Sequence, residues 1–299
     1  MVQKFRLNAM FVGVIICSLF NLNFAVAQFV VPDIELDKIY RGQTLETVTG
    51  DQLVDEIKNR QVVFVSEFHG ALPHHEVQKS IIKGLIDRGR RVFVAIEHIS
   101  YLEQNALDAY LNGKLSEDNL KKAAKIKDLA SWKEQLLLPI YFGGWSFGIN
   151  APRWLTGKIN AVGYDLLSSE EKMLLPQDFT LGNDLYKKRI LDALGGGHGG
   201  FDFEKFFQAQ SAWDDTSALQ IINILKKDPS AVVVVMFGDF HISYGGGLPD
   251  RLRARGVSNM VSISQYCGET YTKDELLFLT QPHPLYGARG DYVVPSRCQ

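Results

Sequence analysis

Four short apolar runs, each followed immediately by a polar cluster, constrain the fold of this chain more than any other feature. The runs are 62–65, 92–96, 145–149 and 232–237, and the clusters after them are Ser66-Glu67-Phe68-His69, Glu97-His98, Asn150-Ala151-Pro152-Arg153 and Gly238-Asp239-Phe240-His241. Helix-like periodicity between the runs predicts an α/β fold in which helices flank a mainly parallel sheet. Ligands of such sheets bind beyond the carboxyl ends of the strands, so the clusters are expected to converge there.

Two carboxylates and two imidazoles from these clusters form the candidate site, namely Glu67, His69, Glu97 and His241. Such groups are usual ligands of a divalent metal such as zinc or manganese, and in a metal-dependent hydrolase Glu67 or Glu97 would act as the base. The same groups could instead line a haem site in which a His or a Tyr binds the iron. They could also form a buried hydrogen-bonded network that closes the sheet. The spacing leaves these alternatives open.

Three stretches between the runs are predicted to be helical. Residues 73–88 have an amphipathic pattern, and residues 203–227 have near-helical spacing of large apolar side chains. Residues 101–141 carry no strand pattern. This last stretch therefore predicts a helical insertion between the second and third strands.

Two of these helices carry polar residues on or beside their buried faces. His74 and Gln78 fall on the inward face of the first helix, close to the end of the first strand, where polar groups need partners. His74 and His75 together are interpreted as a pair at the start of the helix. Gln210 and Asp214 lie one turn apart at the border of the buried stripe of the long helix.

Other residues near the clusters are assigned structural roles. His98 follows Glu97 directly, so strand alternation predicts that it points the other way. Tyr141, Phe142 and Trp145 are expected to belong to the core.

Composition narrows the classes of function. The 299 residues are 46% hydrophobic and 22% charged, which is enough for one main domain with a real core. The formal net charge is −2, and no Lys/Arg cluster interleaves with aromatic residues, so nucleic-acid binding is disfavoured. The chain contains no His-Glu-x-x-His motif, and its one Gly-x-Ser-x-Gly match, at 144–148, overlaps the third apolar run rather than lying at the strand-to-helix turn that a nucleophilic serine needs. Only the scattered constellation therefore argues for catalysis.

The first residues are typical of an export signal. Two basic residues precede an apolar stretch at 10–20, and Ala-Val-Ala at 25–27 forms a small-x-small cleavage site. Residues 1–27 are therefore predicted to be a signal peptide, and residues 28–299 a mature periplasmic or secreted domain. The apolar stretch is shorter than the roughly 20 residues that span a bilayer. Membrane association as a lipoprotein through Cys17 is the alternative, although bulky Ile16 precedes this cysteine.

Two cysteines, Cys267 and Cys298, remain after the predicted cleavage. An oxidising compartment could pair them. No C-x-x-C motif occurs in the chain, so a zinc ribbon, a thioredoxin-like redox pair and c-type haem attachment all lack support.

Several of these motifs together resemble those of the ChaN haem-binding proteins. They are Ser-Glu-Phe-His with His75 and Gln78 at 66–78, Ala-Ile-Glu at 95–97, Asn-Ala-Pro-Arg at 150–153, Gln-Ala-Gln-Ser-Ala-Trp-Asp at 208–214 and Gly-Asp-Phe-His at 238–241. The ChaN proteins belong to a superfamily with the Tiki/TraB and erythromycin-esterase-like proteins. The resemblance runs from about residue 62 to 263. It departs from the family pattern at Ser66, where Gly is usual, and at Asp239, where Gly or Asn is more common.

The resemblance implies an exported protein that binds haem in haem or iron uptake. The expected partners are haem, a second copy of the chain around the cofactor and an outer-membrane haem receptor. The candidate haem-binding residues are His69, His74, His75, Gln78, Arg153, Tyr164 and His241.

In such a site Arg153 would meet the haem propionates, and the helical insertion would supply apolar walls. A tyrosine binds haem iron in this family, and Tyr101, Tyr110, Tyr141 and Tyr164 are the candidates left open here.

Overall fold

The computed structural model describes residues 33–196 and 202–298. The predicted signal peptide at 1–27 lies outside these residues. The strands are β1 (Ile39–Arg41), β2 (Thr47–Val48), β3 (Val62–Glu67), β4 (Val92–Ser100), β5 (Trp145–Asn150), β6 (Val232–Gly238), β7 (Met260–Cys267) and β8 (Tyr292–Ser296). They form one sheet in the order β2-β1-β8-β7-β3-β6-β4-β5.

The sheet is mainly parallel, as predicted. Strands β3 to β8 pair in parallel, while β1 runs antiparallel to both β2 and β8 at one edge. Strand β6 is fully buried along its Val-Val-Val-Val-Met-Phe-Gly sequence. A continuous apolar run is what a central parallel strand needs, because helices cover both of its faces.

The helices between the strands have the following bounds. They are α1 (Gly50–Ile57), α2 (Leu72–Asp87), α3 (Gln104–Leu111), α4 (Glu117–Ala124), α5 (Lys133–Leu137), α6 (Arg153–Val162), α7 (Ser169–Lys172), α8 (Asp184–Ala193), α9 (Phe203–Lys227), α10 (Asp239–Ile242), α11 (Leu248–Ala254) and α12 (Lys273–Thr280). Short 3₁₀ turns occur at Tyr101–Glu103, Ala130–Trp132, Leu138–Phe142 and Ser243–Gly245.

The three predicted helical stretches are confirmed. Helix α2 matches the amphipathic pattern within one residue at each end, and α9 has the predicted bounds. Pro73 lies in the first turn of α2, where its missing N–H costs nothing. Asp202 caps α9 by accepting a hydrogen bond from the Lys205 N–H. Helices α3, α4 and α5 form the insertion between β4 and β5.

Two apolar layers hold the helices against the sheet. Alternate residues of β3, such as Val63 and Val65, pack with Ile82 of α2 in one layer. Their neighbours, such as Phe64, pack with Ile221 of α9 in the other layer. The sheet is therefore covered on both sides, and its polar strand ends remain as the place for a site.

The core assignment of two aromatic residues is wrong. Tyr141 is 76% exposed and Phe142 is 57% exposed, because the 3₁₀ turn that carries them ends at Gly143, which has a positive φ of 75°. Trp145 does pack against the core, and its indole N–H donates a 2.8 Å hydrogen bond to Asp108.

Cys267 and Cys298 form a disulfide that ties the end of β7 to the segment after β8. No helix among residues 33–196 and 202–298 combines the length and the apolar character needed to cross a membrane.

Candidate functional site

A cleft of about 660 Å³ opens where the carboxyl ends of β3, β4 and β6 meet. The four residues of the predicted constellation line it together, as the strand-end argument requires. The lining residues include Glu67, Phe68, His69, Glu97, Arg189, Trp213, Gly238, Asp239, Phe240, His241, Tyr244, His283, Tyr286 and Arg289.

The buried carboxylate of Glu67 organises one side of the site. His69 Nδ1 lies 2.8 Å from its Oε1, and Gln78 Nε2 donates a 2.9 Å hydrogen bond to its Oε2. His98 Nε2 is 3.3 Å from Oε1, and His75 Nε2 is 3.5 Å from Oε2. Burial by itself would raise the pKa of Glu67, but these contacts outweigh it and hold the pKa well below its usual value. The Glu67 carboxylate is therefore ionised, and the imidazoles of His69, His75 and His98 lie within 3.5 Å of it.

The prediction that His98 points away from the site is wrong. The pairing of β4 with β5 shifts register between Ile96 and Ser100, and such an irregularity re-aims the side chains beside it. As a result, the His98 ring lies 5.0 Å from the His69 ring, while Glu97 Oε1 lies 4.0 Å from His69 Nε2. Consecutive residues of one strand thus both approach His69.

The histidines around Glu67 differ in how readily they take a proton. The hydrogen bond to Glu67 raises the pKa of His69. Burial lowers the pKa of His98, and it lowers the pKa of His74 to about 4. Of His69, His74 and His98, His69 is therefore the imidazole that is most easily protonated.

Three ligand atoms at this point could hold a metal ion. One atom each from Glu67, His69 and His98 all lie within 4.8 Å of one another. Two imidazoles and one carboxylate are a common donor set for divalent transition metals. His98 thus adds a donor to the predicted metal set, in which Glu97 accepts a 2.6 Å hydrogen bond from the Gly238 N–H.

His241 belongs to a second polar group on the other side of the cleft. Its Nδ1 lies 2.7 Å from Asp214 Oδ1, and the Tyr186 hydroxyl donates a 2.7 Å hydrogen bond to Asp214 Oδ2. Burial opposes protonation of His241, but the Asp214 carboxylate outweighs it and raises the pKa of His241. With Nδ1 held by Asp214, Nε2 is the nitrogen that remains for a ligand.

The two departures from the family pattern contact each other. Ser66 Oγ donates a 2.7 Å hydrogen bond to Asp239 Oδ1, and Ser264 donates to the same oxygen. Arg289 forms a buried salt bridge with the other Asp239 oxygen. The serine and the aspartate are therefore parts of one hydrogen-bonded unit beneath the cleft.

Two buried arginines in the cleft wall are absent from the sequence prediction. Arg289 reaches Asp239 from the segment before β8, and Arg189 comes from α8. Neither follows the carboxyl end of one of the four apolar runs, so the argument that found the polar clusters gives no signal for them. Asp214, by contrast, is placed by the sequence pattern at the border of the buried stripe of α9, but that pattern assigns it no role in the site.

The remaining predicted residues lie at different depths. His74 Nδ1 accepts a 2.9 Å hydrogen bond from the Phe68 N–H, and it lies beneath the cleft with His75 and Gln78. Arg153 begins α6 at an exposed position, and its charge acts against protonation of His69.

Tyr164 packs against Phe179, with ring centroids 4.8 Å apart, and beneath the ammonium of Lys172. It is not among the residues that line the cleft, and the same holds for Tyr101, Tyr110 and Tyr141. The tyrosines that do line the cleft are Tyr244 and Tyr286.

The fold and this cleft define an α/β protein with its ligand site at the strand ends. Residues 53–252 match the family model described as haem-binding uptake, Tiki superfamily, ChaN. The chain belongs to this family.

Solved structures similar to this chain include ChaN of Campylobacter jejuni, which has the same fold and is described as binding haem cofacially. It is 19% identical, with a TM-score of 0.61, over 86% of this chain and 95% of that chain. The type III effector HopBA1 is 14% identical, with a TM-score of 0.48, over 90% of this chain and 99% of that chain. The erythromycin esterase EreC is 11% identical, with a TM-score of 0.46, over 77% of this chain and 76% of that chain. A comparison with curated protein sequences finds no match.

Proposed function

We propose that this protein binds haem in the strand-end cleft and serves haem or iron uptake. The observation that carries the proposal is His241, whose Nδ1 is held by Asp214 in the wall of a cleft of about 660 Å³. This volume lies within the range of roughly 300–1,000 Å³ found for small-molecule sites. Membership of a haem-binding uptake family supports the same conclusion.

The residues present fit a haem. The rings of Trp213, Phe240 and Tyr244 offer apolar walls, and the buried Arg189 offers positive charge for a carboxylate. His241 Nε2 and the half-exposed His69 are imidazole donors for iron, and the Tyr244 and Tyr286 hydroxyls are phenol donors. In this proposal the haem iron is cargo, and the chain supplies its ligand, its walls and its counter-charge.

Uptake from outside the cytoplasm is part of the proposal. A signal peptide at 1–27 would export the chain, and a disulfide such as that between Cys267 and Cys298 forms and persists in oxidising compartments. We further propose that two copies of the chain meet around haem, since the C. jejuni relative is described as binding haem cofacially. An outer-membrane haem receptor is the proposed source of the cargo.

A haemin titration of the purified chain 28–299 tests this function. We expect a shifted Soret band that saturates at a fixed stoichiometry. The His241→Ala and His69→Ala variants should fold and show a changed spectrum or weaker binding, because both side chains border the cleft. A further variant, Tyr244→Phe, removes a phenol from the cleft wall. Tyr164→Phe is its matched control, because Tyr164 does not line the cleft. Failure of the wild-type chain to bind haemin would overturn the proposal.

A metal-dependent hydrolase is the second candidate, and the cluster of Glu67, His69 and His98 favours it. Zinc or manganese held there would act as a Lewis acid, and Glu97 is the neighbouring carboxylate that could take a proton. Metal analysis of the purified chain separates the two candidates. Stoichiometric metal that is lost in Glu67→Gln, together with no haemin binding, would favour the hydrolase.

A further inference from the structure

Arg189 differs from the other buried arginines of the chain in lacking a carboxylate partner. Arg251 and Arg289 are buried to a similar degree, and each forms a salt bridge, with Asp250 and Asp239 respectively. Arg189 is 7% exposed, and no Asp or Glu of residues 33–196 and 202–298 lies within salt-bridge distance of it. The remaining residues, 1–32, 197–201 and 299, contain no acidic side chain. A buried charge without a counter-charge is costly, so it is seldom kept without a use.

The contacts that Arg189 does make are neutral. Its guanidinium donates to the backbone carbonyl of Phe240 and, over 3.2 Å, to the Ser243 hydroxyl. The rings of Tyr186, Phe240 and Tyr244 surround it, at 5.2, 5.2 and 5.8 Å from their centroids. These contacts fix the plane of the guanidinium, while the carboxylates of Asp239 and Asp214 act on its charge only from beyond ion-pair distance.

The guanidinium also keeps unused donors. Its Nε has no hydrogen-bond partner among the described residues, although it is buried. A guanidinium carries five N–H donors in a fork that matches a carboxylate. Since Arg189 lines the cleft, a carboxylate that entered the cleft would find both the charge and the donors.

We propose that Arg189 binds a carboxylate of the tetrapyrrole in the cleft, and so makes this site selective for a porphyrin with free propionates. This inference rests on the proposed haem-binding function and names the residue that selects the ligand. Arg189, which lies in the cleft wall, thus takes the role of binding the propionates that the sequence suggested for the exposed Arg153.

The test compares haemin with haemin dimethyl ester, which has the same ring and iron but no free carboxylates. Both are titrated into the chain 28–299 and into its Arg189→Met variant. We expect the preference of the wild-type chain for the free acid over the ester to fall at least tenfold in the variant, about 1.4 kcal/mol. The affinity for the ester should stay the same in both proteins. Equal loss of acid and ester binding would mean that Arg189 only supports the fold, and would overturn the inference.

Lys187→Met is the matched control. Lys187 is on the same helix, pairs with Glu204 and does not line the cleft, so its loss changes the net charge equally. The preference of the Lys187→Met variant for haemin over its dimethyl ester should equal that of the wild-type chain. If Arg189→Met does not fold, Arg189→Lys decides, because it keeps the charge but loses the fork. We expect its preference to fall several-fold, and an unchanged preference would contradict the inference.

Two further outcomes separate the sources of failure. If the wild-type chain binds haemin and Arg189→Met binds both ligands as the wild type does, only this inference fails. If the wild-type chain does not bind haemin, the proposed function fails with it. If sodium acetate raises the melting temperature of the wild type but not of Arg189→Met, while the acid and ester preference is unchanged, the site takes a free carboxylate and the tetrapyrrole assignment is overturned.

Discussion

The Asp214 carboxylate lies 2.7 Å from Nδ1 of His241, although the two residues come from different helices and are 27 positions apart. This contact fixes which nitrogen faces a ligand, and it raises the pKa of His241. Ligand binding at Nε2 therefore competes with a proton that Asp214 stabilises.

Asp214→Asn should lower the pKa of His241, because it removes the charge that favours the imidazolium. If His241 binds the haem iron, the pH at which haemin binding is lost on acidification should then move down. Haemin affinity measured from pH 8 to pH 5 checks this. Tyr186→Phe is the control, since it removes a hydrogen bond to Asp214 but keeps its charge. An unchanged pH midpoint in Asp214→Asn would argue against His241 as the ligand.

Stability should fall as pH decreases from about 6.5 to about 4, because His74 has a pKa lowered to about 4 by burial. In this pH window His74 is protonated in the unfolded chain but still neutral in the folded chain. Lowering the pH therefore favours unfolding. His74 contributes on the order of 3 kcal/mol of this loss at most, from about 1.4 kcal/mol per pKa unit. His98, whose pKa is also lowered by burial, adds to the loss.

Urea unfolding at pH 6.5 and pH 4.5 measures this loss. His69 and His241 have raised pKa values, so their contributions change above pH 6.5 instead. In His74→Asn, whose amide oxygen can still accept the Phe68 N–H, the dependence should be smaller. An equal dependence in this variant would assign the effect to other groups.

Glu67→Gln should destabilise the fold by roughly 3 kcal/mol, the usual cost of removing one member of a buried charged group. It should also lower the pKa of His69, which the Glu67 hydrogen bond raises. Chemical denaturation and an NMR titration of the imidazoles measure the two effects. Glu76→Gln, at an exposed position on α2 that pairs with Lys79, should leave stability nearly unchanged. Equal stability of the two variants would show that Glu67 does not organise the site.

Gly238→Ala should fold normally, because φ is −57° and the nearest atom to an added Cβ is Glu97 Oε2 at 3.4 Å. Gly144→Ala should be destabilised by about 1–3 kcal/mol or more, since its Cβ would lie 1.9 Å from the Val92 carbonyl oxygen. Thermal unfolding compares the two variants. A strongly destabilised Gly238→Ala would contradict the geometry described for the base of the cleft.

Replacing Cys267 and Cys298 with serine should lower the free energy of unfolding by about 3–4 kcal/mol, as loop-closure entropy suggests for a separation of 31 residues. Denaturation of the wild type with and without reductant should show a similar difference. A double variant as stable as the wild type would mean that the crosslink does not constrain the unfolded chain.

The convergence of Glu67, His69, Glu97 and His241 could be predicted because it follows from a rule about parallel strands. The helix bounds followed from apolar periodicity and from local signals such as Pro73 and Asp202. The orientation of His98 could not be predicted, because it depends on a register shift between two paired strands, which strand alternation does not encode.

Arg189 and Arg289 could not be predicted for a different reason. Their places in the cleft depend on how α8 and the segment before β8 pack on the strand ends, and neither element carries a motif. Exposure of Tyr141 and Phe142 likewise depends on the direction of one turn. Sequence patterns indicate which elements form, but contacts between distant elements decide which side chains complete the wall.

A crystal structure of the chain 28–299 with bound haemin tests the central claim most directly. We expect haem in the strand-end cleft, with its iron bound by a side chain of the cleft wall and a propionate at Arg189. Haem bound elsewhere on the protein, for example in the groove between α1 and α2, with the strand-end cleft unchanged, would contradict the account.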